Sequence, residues 1–188
     1  MDKKKSLWVK ILVPVLIVAA IGGIWLFKSI SEKNIQEPSF SQGPSNLPDN
    51  LKDANFALNA TEEIDFEALS KYGLPVIADY GADSCIPCKQ MAPVLKTLNA
   101  EMQGKAFIKF VNVWKYYEAA ANVPVQVIPT QVFFNADGTP FVPSDKLAKE
   151  IQFDMYSDKA TGKHTFTVHQ GGLTEAQMRA ILKEMGVE

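Results

Sequence analysis

The chain has two cysteines, Cys85 and Cys88, and they stand at the seam between two unlike patterns. Before them runs Pro75-Val76-Ile77-Ala78-Asp79-Tyr80, a short, nearly continuous apolar stretch of the kind that forms a buried strand. After them comes CKQMAPVLKTLNAEMQG, with Met91, Val94, Leu95, Leu98 and Met102 at helical spacing and Pro93 expected to kink the helix. A strand that becomes a helix within a few residues, with both thiols at the turn, limits the available folds more than any other feature.

Three chemistries use such a pair. A zinc site needs about four ligands, and the remaining candidates are His164 and His169. They are five positions apart in an expected strand, so they should point to opposite faces, and each reads as a surface residue. A purely structural disulfide would close too small a loop to remove much unfolded-chain entropy. A reactive dithiol explains the placement better. Cys85 falls where a helix begins, and the free N–H groups and partial positive charge there favour thiolate, the nucleophile of disulfide exchange. Cys88 lies one turn along, within reach of a mixed disulfide formed on Cys85. Pro87 suits an early helical position.

The rest of the chain reads as one domain with appendages. At 47% hydrophobic residues, 21% charged residues and a net charge of −2, it can build an ordinary core and offers no basic stripe for nucleic acid. The start differs. Lys3, Lys4 and Lys5 precede an apolar run from Leu7 to Phe27 broken only by Lys10. As a helix the run would be about 31 Å long, enough to cross a bilayer, with Trp8 and Trp25 near its ends. A cleaved signal peptide is the alternative, with Ala20-Ile21-Gly22 as a small-x-small site, but Ile24-Trp25-Leu26-Phe27 carries the apolar run past it. The expectation is a basic start and anchor over 1–28, held in the bilayer through residues 7–27. The N-terminus stays in the cytoplasm of a bacterial-type membrane and the rest lies outside. Residues 29–54, rich in Ser, Pro, Asn and Gln, read as a flexible tether.

From about residue 55 the pattern becomes regular. Phe56-Ala57-Leu58 reads as a short strand. NATEEIDFEALSKYG reads as a helix capped by Asn59 or Thr61 and stopped by Gly73. KAFIKFVNVW reads as a strand, KYYEAAANV as a short helix, and TQVFFNADGTPFV as two strands about a turn at Asp137-Gly138. LTEAQMRAILKEMG reads as a final helix with Thr174 and Gln177 as a capping box and Gly186 as its stop. Residues 144–163 read as an insertion in which DKLAKE makes a helical turn, and IQFDMY pairs with HTFTVH. Alternating strands and helices imply an α/β domain over 55–188, with a central mixed sheet and helices on both faces.

Three segments carry a family resemblance. VIADYGADSCIPCKQMAP resembles the active-site segment of thioredoxins: apolar strand, Asp, Cys-x-Pro-Cys, a following Lys and a later Pro. VIPTQVFF resembles the thioredoxin loop whose cis-proline faces the dithiol, and GGLTEAQMRAIL is similar to the family's last strand-to-helix junction. The resemblance implies a thioredoxin-like three-layer α/β/α fold and a redox disulfide between Cys85 and Cys88. Cys85 would be the attacking thiol, Cys88 the resolving thiol, and Asp79 a buried acid beneath them. Pro129 would be the cis-proline, and Ile128, with Ile86 and Pro87 on the rim, would meet the substrate. No cofactor or metal is implied.

Departures from the family pattern are equally specific. Ser84 and Gly81 stand where thioredoxins usually carry Trp, and Ile86 replaces the usual Gly between the cysteines. Phe110 stands at the position of the family's buried lysine, with Lys109 one place off. A less aromatic rim and an altered proton relay are expected. The functional expectation is a protein-disulfide reductase acting on disulfide-containing proteins outside the cytoplasm, resupplied by a membrane dithiol donor. A disulfide oxidase or isomerase, or a redox-inert binding module on the same fold, are the alternatives.

Overall fold

The structure, a computed structural model, describes residues 47–187. In chain order it holds β1 (Asn59–Ala60), α1 (Phe66–Ser70), β2 (Val76–Gly81), α2 (Ile86–Glu101), β3 (Phe107–Asn112) and β4 (Thr130–Phe134). Then come α3 (Asp145–Glu150), β5 (Asp154–Ser157), β6 (His164–Gln170) and α4 (Glu175–Glu184). The sheet order is β1-β3-β2-β4-β6-β5. β1, β3 and β2 run parallel, while β4, β6 and β5 add antiparallel pairs. A parallel neighbour cannot be reached by a tight turn, and α2 supplies the crossover from β2 to β3.

Side chains alternate between faces along each strand. Val76, Ala78 and Tyr80 meet Phe107, Val111, Val132 and Phe134 on one face, where Phe66 and Leu69 of α1 pack. Ile77, Ile108 and Phe133 lie on the other, beneath Met91, Leu95 and Leu98 of α2, Leu147 of α3 and Met178, Ile181 and Leu182 of α4. This is the layered mixed α/β architecture expected. All six residues of β2 are buried, as its apolar run requires. The capping box of α4 is present, with Thr174 accepting from the Gln177 amide, and Gly186 follows with φ 87°. α2 is one helix from Ile86 to Glu101 with Pro93 inside it.

Several local expectations are corrected. The strand expected at 56–58 does not form, because side chains take its carbonyls. Lys109 donates to Asn55 and Ala57, and Asn99 donates to Phe56 at 2.8 Å. The ladder begins instead at Asn59–Ala60, paired with Phe110–Val111. Those residues are then unavailable to the helix, which starts at Phe66 under Asp65, whose carboxylate accepts from the Ala68 amide at 2.8 Å. The turn at Gly138 (φ 79°) is present, but the second strand after it shrinks to one bridge, Phe134 to Pro140. Proline has no N–H for a ladder, and β6 pairs with β4 over Thr130–Val132 instead. KYYEAAANV holds only a 3-10 turn, Tyr117–Ala120.

The tether read over 29–54 is packed at its C-terminal end, where Asp49–Leu51 makes a 3-10 turn and Leu51 is buried. Within 144–163, Ser144 caps α3, and β5 joins β6 as the outer strand of the sheet. Among the described residues no helix is long and apolar enough to cross a membrane. The span expected at 7–27 lies outside them.

Candidate active site

β2 ends at Gly81 and α2 begins at Ile86, so the two cysteines sit at the carboxyl end of a central strand. Cys85 is the N-cap of α2, with its sulfur accepting from the Cys88 amide at 3.3 Å. Cys85 and Cys88 form a disulfide. Their surroundings differ: Cys85 is half-buried, whereas Cys88 is 4% exposed and faces the core. Between them Ile86 is 71% exposed and Pro87 also lies on the surface. One sulfur is open to a partner and the other is covered.

A second loop, leading into the neighbouring strand β4, meets the first at the same end of the sheet. The Ile128–Pro129 peptide is cis, Pro129 is buried, and Thr130 opens β4 with its hydroxyl on the Val127 carbonyl at 2.6 Å. The Ile128 carbonyl oxygen lies 3.8 Å from Cys85 Sγ. Ile128 backbone and the accessible sulfur thus share one patch of surface.

Beneath the disulfide is Asp79, fully buried on the α2 side of β2. Gln131 stands opposite it in the antiparallel register and donates from Nε2 to Asp79 Oδ1 at 2.6 Å. Asp79 Oδ2 and Gln131 Oε1 have no hydrogen-bond partner among the described residues. On the other flank Phe110 is in register with Asp79, while Lys109 turns to the opposite face. Burial pushes the Asp79 carboxyl up to about 7, opposed by the Gln131 hydrogen bond. Gly81 leaves the space above it open. A Cβ there would lie 3.0 Å from the Phe110 ring, 3.2 Å from Cys88 Sγ and 3.3 Å from Asp79 Oδ2.

The family model for thioredoxin matches residues 57–152. The chain belongs to the thioredoxin family. Thioredoxin from Staphylococcus aureus is 35% identical over 101 residues, covering 50% of this chain and 95% of that one. Thioredoxin 1 from Chlorobaculum tepidum is 44% identical over 61 residues, 32% of this chain. That match spans 60% of the relative's own length, less than two thirds of it. Among solved structures, a point mutant of the thioredoxin from Halobacterium salinarum is similar with 20% identity and a TM-score of 0.46, covering 68% of this chain and 88% of that one. The chain is a thioredoxin-family oxidoreductase with its Cys-x-x-Cys pair at Cys85 and Cys88.

In this thioredoxin domain the sequence-selected residues Cys85, Cys88, Asp79, Ile86, Pro87, Ile128 and Pro129 converge at one end of the sheet. Trp114 and Tyr117, after β3, are 63% and 73% exposed. Their loop docks beside the dithiol loop through Val113, whose amide donates to the Gly81 carbonyl at 2.9 Å, and through a 2.6 Å Lys115–Asp83 ion pair. That ion pair holds the Asp83 carboxyl below the usual range. The parallel register of β2 and β3 was the available signal, since it brings both carboxyl ends together. The histidines read as surface residues are half-buried: His164 Nε2 reaches the Thr167 hydroxyl at 2.9 Å, and His169 Nδ1 the Gln152 carbonyl at 2.8 Å. Among the described residues no group of three His, Cys, Asp or Glu side chains is placed to hold a metal ion.

Asp79 makes stability depend on pH. Its carboxyl titrates near 7 in the fold and near 4 in an unfolded chain. Between those values the folded state binds more protons, so stability is full below about pH 4 and falls as pH rises through about 7. Asp79→Asn should abolish this slope and raise the unfolding free energy at pH 8 by roughly 2–4 kcal/mol. Urea denaturation at pH 5 and pH 8 measures it; equal stability of both proteins at both pH values would show that the carboxyl is not desolvated.

Proposed function

We propose that this thioredoxin-family protein is a membrane-anchored reductase of disulfide-bonded proteins outside the cytoplasm. The observation that carries the exchange chemistry is the asymmetry of the pair. Cys85 is accessible at the start of α2, and Cys88 is covered above an unpaired oxygen of Asp79. In the reduced protein the α2 N-terminus and the Cys88 amide favour the Cys85 thiolate. That thiolate attacks one sulfur of a client disulfide, the client bond breaks with the other client sulfur leaving as a thiolate that takes a proton from water, and a Cys85–client mixed disulfide forms. Cys88 gives its proton to Asp79 and its sulfur attacks Cys85. The Cys85–Cys88 bond forms, the client sulfur leaves as a thiolate and takes a proton, and two electrons have passed to the client. The backbone of Ile128 beside Cys85 supports pairing with an extended client segment, and the exposed Ile86 and Pro87 offer it apolar surface. A membrane dithiol donor returns the two electrons.

The same steps run backwards in an oxidase, so the potential decides direction. A reductase should have a potential near the thioredoxin value of about −270 mV, measured against glutathione; one near −120 mV would make it an oxidase. Cys88→Ser should leave Cys85 able to attack and unable to release, so client proteins accumulate as reducible adducts. Cys85→Ser should trap none and lose disulfide reduction. Faster alkylation of Cys88 than of Cys85, or no adducts from either variant, would overturn the assigned roles.

Location rests on the lysines at 3–5 and the apolar run at 7–27. In cells stripped of outer layers, added protease should cleave within residues 29–46 and release the dithiol domain. A domain protected until the membrane is broken would contradict this topology.

A further inference from the structure

Among the described residues Asp79 has no cation beside it. From β3 it meets Phe110, while the Lys109 ammonium lies on the other face against the carbonyls of Asn55 and Ala57. From α2, Cys88 is the titratable group on its side, and Met91 adds a thioether. From β4 comes Gln131, fully buried between Asp79 Oδ1 at 2.6 Å and Met91 Sδ at 3.4 Å. One strand further out, His169 is in register with Gln131 and spends its Nδ1 on the Gln152 carbonyl. Asp83 and Lys115, at the surface after the two strands, pair with each other.

A glutamine in the middle of a fully buried strand is costly unless its amide is used. Here one end of the amide is used and the other is not, since Oε1 has no partner among the described residues. The donor end alone is engaged, and it is aimed at a carboxyl oxygen.

We propose that Gln131 is a positioning residue for resolution: its Nε2 holds Asp79 Oδ1 so that Oδ2 stays free on the Cys88 side and accepts the Cys88 proton. It takes the place a cation would fill, but as a neutral donor. Because an amide favours the carboxylate, removing it makes the proton acceptor scarcer near neutral pH. The bond-making is that of the exchange above. Cys88 S–H loses its proton to Oδ2, the Cys88–Cys85 bond forms, the Cys85–client bond breaks, and the electron pair leaves with the client sulfur.

This inference rests on the reading that Cys85 attacks and Cys88 resolves, and the experiment separates the two. The full-length protein, Gln131→Leu, Asp79→Asn and the double variant are reduced and mixed with a small aromatic disulfide. Mixed-disulfide formation and its resolution are followed separately by rapid mixing from pH 5 to 9. Gln131→Leu should leave formation within about twofold, slow resolution at pH 7 about tenfold, and move the acid limb of the resolution profile up by about one to two pH units. In the Asp79→Asn background the same substitution should add no further slowing. Gln131→Met, also long and apolar, gives the same readout should the leucine variant not fold. Equal effects on formation and resolution, an unmoved acid limb, or undiminished slowing without Asp79 would each overturn the role of Gln131 while leaving that of the cysteines intact. Absence of exchange by the unmodified protein would overturn both.

Discussion

The register of β2 decides where the chemistry of this protein sits. β2 lies between a parallel neighbour, β3, and an antiparallel one, β4, and its six residues are all buried. A slip of one residue would exchange the faces. Tyr80 and Ala78 would then turn under α2, and Asp79 would move to the side of Lys109. The observed pairing, Val76 with Phe107 and Val76 with Phe134, instead sends Ile77, Asp79 and Gly81 toward α2. The same register sets Phe110 on one side of Asp79 and Gln131 on the other. It also brings the end of β2 to the start of α2, so that a disulfide, an acid and an amide stack within one short column.

Elements with a strong local signal were legible in the sequence. The unbroken apolar run gave β2, the helical spacing from Met91 to Met102 gave α2, and the Thr174–Gln177 box with Gly186 bounded α4. What depended on distant partners was not legible. β1 is displaced because Lys109 and Asn99 claim the carbonyls before it, and neither side chain announces that target in sequence. β6 was paired with β5 from a local reading, yet it also closes on β4 and so belongs to the body of the sheet. At the site, the cysteines, Asp79 and the Ile128–Pro129 loop were readable as motifs. Gln131 was not. Alone it is one polar residue in an apolar strand, and only the cross-strand register shows what it touches. Trp114 was read as a strand end, and the pairing of Val113 with Gly81 and of Lys115 with Asp83, which places its loop beside the dithiol loop, had no local signal.

The two buried charged residues of this region never meet. Lys109 is in register with Ala78, next to Asp79 along the same pair of strands, but the pleat sends it to the other face. There its ammonium binds two backbone carbonyls, fastening the approach to β1, and burial pulls it down to about 8. Had the lysine stood at position 110, a cation would have faced the carboxyl and favoured its charged form. With Phe110 in that place, burial raises the carboxyl and one neutral amide lowers it, leaving it at about 7. A base of that strength is half charged near neutral pH and can take a proton or return one at little cost. Thiol–disulfide exchange needs both, since the Cys88 thiol loses its proton when the disulfide forms and regains one when it is reduced. The cost of burying a carboxyl without a cation is limited by its ability to protonate. The fold therefore tolerates Asp79 in its neutral state, and the Gln131 amide favours the charged one, which is the pair of states that the proposed proton exchange with Cys88 would use.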